Sequence, residues 1–269
     1  MNTEIITCPI EQNKAMPDAK ETYGFINTRS MIDVFSSHGW TVESTQSNKT
    51  RIATKEGFQK HMVWLSNPAY PTIEGLSKNN ETKPRLCLVN AHDMTSRLHI
   101  FLGGLRVACL NQILAGNVFR YFGLTHSKNA LQRLDEGVRY MSEGVPELIL
   151  QLKALQSIQM NETQRLEYAR RLVDKRLENV KTISVDYSVM ERPMRAEDNE
   201  QDAYTVMNRV QERVVRGGIP YTYARNILDE NGNVIGSKEV STHTRKLASV
   251  SSQISLNQAL VQEIYNVAA

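Results

Sequence analysis

Cysteine is scarce. The 269 residues include three, Cys8, Cys87 and Cys109, without CxxC spacing, so neither a disulfide framework nor a zinc site is supported and a reducing, cytoplasmic setting fits. No run approaches about eighteen apolar residues, and no basic region precedes an apolar run at the start, which leaves no membrane span and no export signal to expect. With 14 Gly, 8 Pro, 41% hydrophobic and 23% charged residues, the chain is not collagen-like, a coiled coil or wholly disordered. Also missing are GxxxxGK[ST], GxGxxG, GxSxG and HExxH, so nucleotide hydrolysis, dinucleotide redox work, α/β-hydrolase catalysis and the common zinc protease are each unsupported. The six histidines do not cluster at metal spacings, and no cofactor is implied. The expectation is a protein that is not an enzyme; the competing catalytic reading rests on His92, Asp93 and His99, which a single turn could bring together.

What is present is an uneven charge. Residues 1–48 carry three Lys/Arg against six Asp/Glu (net −3), 49–139 thirteen against six (net +7), 140–203 nine against twelve (net −3) and 204–269 seven against five (net +2). Two basic blocks separated by an acidic one suit a polyanion-binding surface, a solvated mixed face being the alternative.

Residues 1–20 lack periodicity and read as a tail or edge segment, and 21–269 as one domain. A short helix is expected at 28–38, capped by Thr28 or Ser30, with Met31, Val34 and Phe35 on its apolar face and Gly39 at its end. Residues 40–45 and 51–55 look like the arms of a hairpin, and 57–65 end in a further strand. Residues 85–91 and 97–102 make a hairpin about Asp93-Met-Thr-Ser. Gly103-Gly104 interrupts the returning strand, which resumes at 105–111; a bulge, a sharp bend or a closely approaching ligand is expected there.

From 127 the period changes from 2 to 3.6. Ser127 can cap a helix carrying Leu131, Leu134, Val138, Met141, Val145, Leu148, Leu152 and Leu155, and Asn161 with Gln164 opens a second helix through Leu166, Leu172 and Leu177, so 127–178 predict an antiparallel helical pair. An acidic loop at 186–202 precedes a helix at 203–216, closed by Gly217-Gly218. Residues 221–228 and 234–240 form a second hairpin, and 251–266 a last helix. The expected fold is α+β: an antiparallel sheet built from hairpins, that of 220–240 included, packed by the helical pair and the C-terminal helices.

Three stretches carry a resemblance. Val89-Asn-Ala-His-Asp-Met-Thr-Ser with Phe101-Leu-Gly-Gly-Leu-Arg-Val-Ala-Cys-Leu-Asn, then Gln211-Glu-Arg-Val-Val-Arg-Gly-Gly, then Asn257-Gln-Ala-Leu resemble the signatures of the phage/plasmid-like proteins of domain of unknown function 932. Their usual forms are N-S-H-D-G with F-R-x-V-C-x-N, Q-E-x-x-x-R-G-G, and N-x-x-L-W. Met94 stands where the family generally has Gly, and Val261 near its Trp. The resemblance implies company with mobile-element DNA, which passes through single-stranded intermediates. It therefore favours a single-stranded DNA-binding or strand-annealing protein in the host cytoplasm. An antagonist of a host defence protein is the alternative, and replication or transcription proteins and further copies of the chain are possible partners.

Binding to single strands needs cations for the phosphates and aromatic faces for the bases. Lys49, Arg51, Lys55 and Lys60 lie near Trp64 in the chain; Arg97 and Arg106 flank the double glycine; Arg216, Arg225, Arg245 and Lys246 bracket Tyr221 and Tyr223, whose spacing of two puts both rings on one face of a strand. Core packing is the competing role for Trp40, Trp64 and both tyrosines. Arg106, between Leu105 and Val107, needs water, a carboxylate or a phosphate.

Overall fold

Short apolar runs in the N-terminal half, whose side chains point alternately to opposite sides of a strand, give a sheet with two apolar faces. The computed structural model describes residues 9–19, 23–70, 72–73, 82–106, 111–114 and 120–268. Strands β1 (Thr41–Ser47), β2 (His61–Ser66), β3 (Thr82–Asn90), β4 (Leu98–Arg106) and β5 (Asn111–Leu114) lie side by side in that order, all antiparallel. Strand β6 (Tyr121–Leu124) pairs with Leu98–Phe101 of β4, whose other half pairs with β5.

The inner face presents Val63, Leu65, Leu86, Leu88, Ile100 and Leu102. Against it pack α1 (Thr28–Ser37), α2 (Ala130–Glu143) and α3 (Val145–Ser157), through Met31, Phe35, Leu134, Val138, Leu148 and Leu152. The outer face presents Met62, Trp64, Cys87, Val89 and Phe101, and is met by Val250 and Ile254 of α6 (Val250–Ala268).

The 203–216 prediction coincides with α5 (Ala203–Arg216), but the helix is not amphipathic in place: every residue from Ala203 to Glu212 is buried. It packs on α3, on α4 (Glu162–Leu177) and on α6. Gln211 Nε2 donates to Asn257 Oδ1 of α6 at 2.5 Å, and the Tyr204 hydroxyl bonds Thr82 of β3. Glu212 receives Arg195 Nη2 at 3.0 Å and Arg216 Nη1 at 2.8 Å. Gly217 closes the helix at φ +88°, where a Cβ would collide with the carbonyl of Thr244.

Several expectations need correction. The hairpin at 220–240 does not join the main sheet: β8 (Pro220–Leu228) and β9 (Val234–His243) form a second sheet with β7 (Thr182–Val185), a strand the sequence did not announce. Residues 51–55 are no strand, since the Lys55 amide bonds the Ile52 carbonyl in a tight turn, and β1 pairs with β2 instead. The long helix from 127 is two helices. Pro146 sits in the first turn of α3, where its ring and missing N–H prevent continuation from α2.

The helical pair is not a pair either, for α3 lies on α5, and α4 on α5 and α6. Leu131 and Leu166, counted into the apolar stripes, are exposed. Gly103 and Gly104 stay in register within β4, opposite Arg85 and Pro84, with Thr82 3.1 Å from where a Gly104 Cβ would stand. The resumption at 107–110 lies outside the described residues, and β5 folds back on β4. In the described part of the tail, Pro9 and Gln12 are buried and the Gln12 carbonyl accepts from Asn27 Nδ2 at 2.8 Å. Asn27, not Thr28 or Ser30, caps α1. The capping box of Asn161 and Gln164 forms as expected.

Glu212 is almost wholly desolvated while its two arginines reach water, so the carboxylate, not the cations, bears the burial cost. Removing both arginines in Arg195→Ala/Arg216→Ala strands a buried charge and is expected to cost about 3–5 kcal/mol in urea denaturation. Glu212→Gln should cost clearly less; the reverse order would show that the carboxylate is held by groups other than these two arginines.

Candidate nucleic-acid interface

The segment entering α6 reads Lys246-Leu-Ala-Ser-Val-Ser-Ser-Gln, basic and then rich in serine. Serine suits a helix start because its hydroxyl accepts from the unpaired first amides, and Ser249 Oγ accepts from the Ser252 amide at 3.4 Å. The rest of the capping comes from across the sheet edge. Asn48 Oδ1 accepts from the Val250 amide at 2.9 Å, Gln46 Nε2 donates to the Ala248 carbonyl at 3.3 Å, and Lys60 Nζ donates to Ser251 Oγ at 2.9 Å. These bonds bring the first basic block to the second. No acidic residue occupies the first turn of α6, so the partial positive charge of its amide end adds to the cations around it.

Three concavities ring this helix start. A groove of about 540 Å³ is lined by Lys49, Lys246, Asn48, Ser249 and Gln253. A second, of about 330 Å³, holds Lys175 and Arg176 of α4 with Glu178, Ser252 and Leu256. The third, of about 290 Å³, is lined by Lys60, His99, Phe101, Tyr121, Ser255 and Gln258. Leu247 is common to the first two, and Ser251 and Ser255 to the last two. Arg176 is held in place by donating Nε to the Val214 carbonyl and Nη2 to that of Arg245, at 3.2 and 2.9 Å. Lys175 is paired with Glu178 at 2.6 Å.

The third concavity has aromatic walls. His99 and Phe101 alternate onto the outer face of β4, their rings 13° from parallel with centroids 5.9 Å apart. Tyr121 of β6 stands 5.7 Å from the His99 ring and 5.3 Å from Phe101, and its hydroxyl bonds His99 Nδ1 at 2.8 Å. Gly123 makes room for it, since a Cβ there would collide with the Tyr121 hydroxyl. Burial, with the neighbouring Lys60 and Arg97 charges, pulls His99 down to about 4. Its imidazole is therefore neutral at neutral pH.

Of the residues singled out in the sequence, Lys49, Lys60 and Lys246 meet at the start of α6. Arg97 is exposed next to His99. Tyr221 and Tyr223 share a face of β8, ring centroids 5.8 Å apart and half-buried, with Tyr221 packed on the main core and near Arg176. The others are elsewhere. Trp64 is 2% exposed on the sheet beneath α6, so its ring is covered rather than offered for stacking. Lys55 faces Asp93 at 3.8 Å, Arg216 is engaged by Glu212, Arg51 is exposed in the turn after β1, and Arg225 stands on the projecting β8–β9 ribbon opposite Lys238. Arg245 is exposed, and the side chain of Arg106 lies outside the described residues. Sequence reasoning missed Lys175, Arg176, His99 as a ring surface, and Tyr121. The first two were hidden in an acidic stretch and the last in a short strand.

The His92-Asp93 turn is built as a structural hub. His61 Nδ1–H donates to the Gln59 carbonyl at 3.0 Å, which leaves Nε2 to accept the Thr28 hydroxyl proton at 2.9 Å. The Thr28 oxygen then accepts from Asn90 Nδ2 at 3.0 Å and from His92 Nε2–H at 3.1 Å. Asp93 turns to its own loop, accepting from the Thr95 amide at 3.2 Å and hydroxyl at 2.5 Å. Met94 takes the left-handed conformation, φ 61°, which explains the family's glycine there. His99, the third member of the catalytic reading, lies on the outer face of the sheet with Tyr121, while Thr28, at the hub's centre, opens α1 on the inner face. Burial lowers His61 to about 4 and, with help from His61 and His126, His92 to about 3. Among the described residues no three potential metal ligands come together, and no helix is long and apolar enough to cross a membrane.

A family model described as "Domain of unknown function (DUF932)" matches residues 18–261, which include this whole interface. The chain is 24% identical to UPF0380 protein YfjQ and 23% identical to UPF0380 protein YafZ, both of Escherichia coli K12, each over 241 residues covering 89% of this chain and 80% of the relative. No solved structure matches it.

The buried histidines set an acid limit on the fold. Below pH about 6.5 the unfolded chain takes up protons that the folded chain refuses until about 4 at His61 and about 3 at His92. Stability is thus full above 6.5 and lost as pH falls, by at most about 1.4 kcal/mol per pH unit for each histidine. Urea midpoints should fall steadily from pH 7 to 5; a flat profile would show that the fold does not hold these imidazoles neutral.

Proposed function

The chain belongs to the family of domain of unknown function 932, and on that footing we propose that it binds single-stranded nucleic acid without catalysing a reaction, acting in the replication or recombination of a phage or other mobile element. The observation that carries this reading is the ring of cationic concavities about the start of α6, with an aromatic-walled cavity at one end. A single strand needs a concave, positive track with ring faces along it. Lys49, Lys246, Arg176 and Lys60 supply the charge, the α6 amide end adds to it, and among the described lining residues Glu178 is the one carboxylate.

A second reading, that the chain binds a protein such as a host defence factor, draws on the β8–β9 ribbon. Ile227, Leu228, Val234 and Ile235 are 40–66% exposed near its tip, more apolar surface than a solvated hairpin needs.

Affinity for oligo-dT should fall steeply with salt. Lys49→Ala/Lys60→Ala/Lys246→Ala is expected to lower the slope of log K against log salt by about 0.7 per lost phosphate contact, roughly 2 in all. An unchanged slope would remove these lysines from the site. No measurable binding by the wild type, together with capture of a protein through the ribbon tip, would favour the second reading.

A further inference from the structure

We infer that the cavity of about 290 Å³ between β4, β6 and α6 receives one unstacked nucleobase, so that the bound strand is read at a single position rather than followed blindly. This rests on the single-strand reading and makes it more specific.

The size of the cavity sits at the small end of ligand pockets, right for one planar ring system and too small for a run of nucleotides. Its walls differ from those of the other two concavities, which carry no aromatic residue among the described residues. Here His99 and Tyr121 present ring faces and edges with centroids 5.7 Å apart, backed by Phe101, which is 2% exposed. Lys60 and the hydroxyl of Ser251 mark one wall, where the phosphate beside the base would lie.

The polar groups are matched to a base edge. Because His99 is uncharged, it offers a hydrogen bond rather than a charge. Nδ1 is occupied by the Tyr121 hydroxyl, while Nε2 makes no hydrogen bond among the described residues. The side chains of Ser255 and Gln258 line the same cavity and likewise make none among the described residues. An amide, a hydroxyl and one imidazole nitrogen thus line one cavity without a protein partner among the described residues. Groups of this kind discriminate between bases, whereas stacking alone accepts every base.

The test compares affinities for short homopolymers of dT, dC and dA at one salt concentration. Wild-type protein is expected to separate the best from the worst by about tenfold or more, the size of one hydrogen-bonded base edge. Gln258→Ala and His99→Ala should each bring the three affinities toward one value, while Lys60→Ala weakens all three alike. Melting temperatures confirm that the variants are folded, and Gln258 on the surface of α6 keeps the test clear of the core. Equal wild-type affinities for the three homopolymers, or a preference that survives both pocket variants, would overturn the pocket and leave the single-strand reading standing. No homopolymer binding, with uptake of a free nucleoside monophosphate that Gln258→Ala abolishes, would do the opposite.

Discussion

The molecule is organised around a helix that has no free face from Ala203 to Glu212. An isolated helix with the composition of α5 would turn Asn208, Arg209, Gln211 and Glu212 to water, yet all four are buried. Each therefore needs a partner, and for Arg209, Gln211 and Glu212 a partner lies outside the helix. Asn208 Nδ2 donates to the Tyr204 carbonyl, Arg209 Nη1 to the Asp198 carbonyl, and Gln211 to Asn257, while Glu212 binds two arginines. Directional bonds of this kind fix how neighbouring elements meet, where apolar packing alone would tolerate sliding. The Gln211–Asn257 bond matters most for the interface, because it locks α6 at mid-length and so fixes where its amide end emerges over the sheet.

The family signatures acquire a physical meaning on this frame. Asn90 and His92 converge on the Thr28 hydroxyl, Gln211 and Glu212 make the bonds of α5, Gly217 takes the positive φ beneath the Thr244 carbonyl, and Asn257 answers Gln211. All of these residues build the scaffold, and none lines the concavities around α6. The cations belong to other segments, at the end of β1, before β2, at the end of α4 and before α6. Other residues of the same signatures, Val89, Ser96, Phe101 and Gln258, line the third concavity, so the signatures report the scaffold and one wall of that cavity, while the cations have to be read from the other segments.

Much of the fold is legible in the sequence. Local rules act within a few residues, so the α5 bounds, the Asn161–Gln164 capping box, the 85–102 hairpin and the β8–β9 hairpin follow from spacing, capping and turn chemistry alone. Side chains that alternate in direction along β2, β3 and β4 place apolar residues on both faces of the sheet, a division the runs in the sequence did not announce. Errors fell where one residue overrode a pattern. Pro146 split a helix whose leucine period ran on, and the turn at 53–55 took residues that looked like a strand.

The sequence by itself thus determined the α+β class, most elements and the presence of two basic blocks. Only the tertiary structure decided which cations are neighbours. Lys49 and Lys246 are 197 positions apart in the chain and line one groove, because Asn48 caps a helix whose position is set by a bond to α5. Trp64 and Tyr121 were likewise settled in three dimensions: α6 covers the first, and Gly123 leaves space for the second to lean on His99. Charge and aromaticity are properties of residues, but a binding surface is a property of distances, and those depend on contacts between segments that sequence separation does not record.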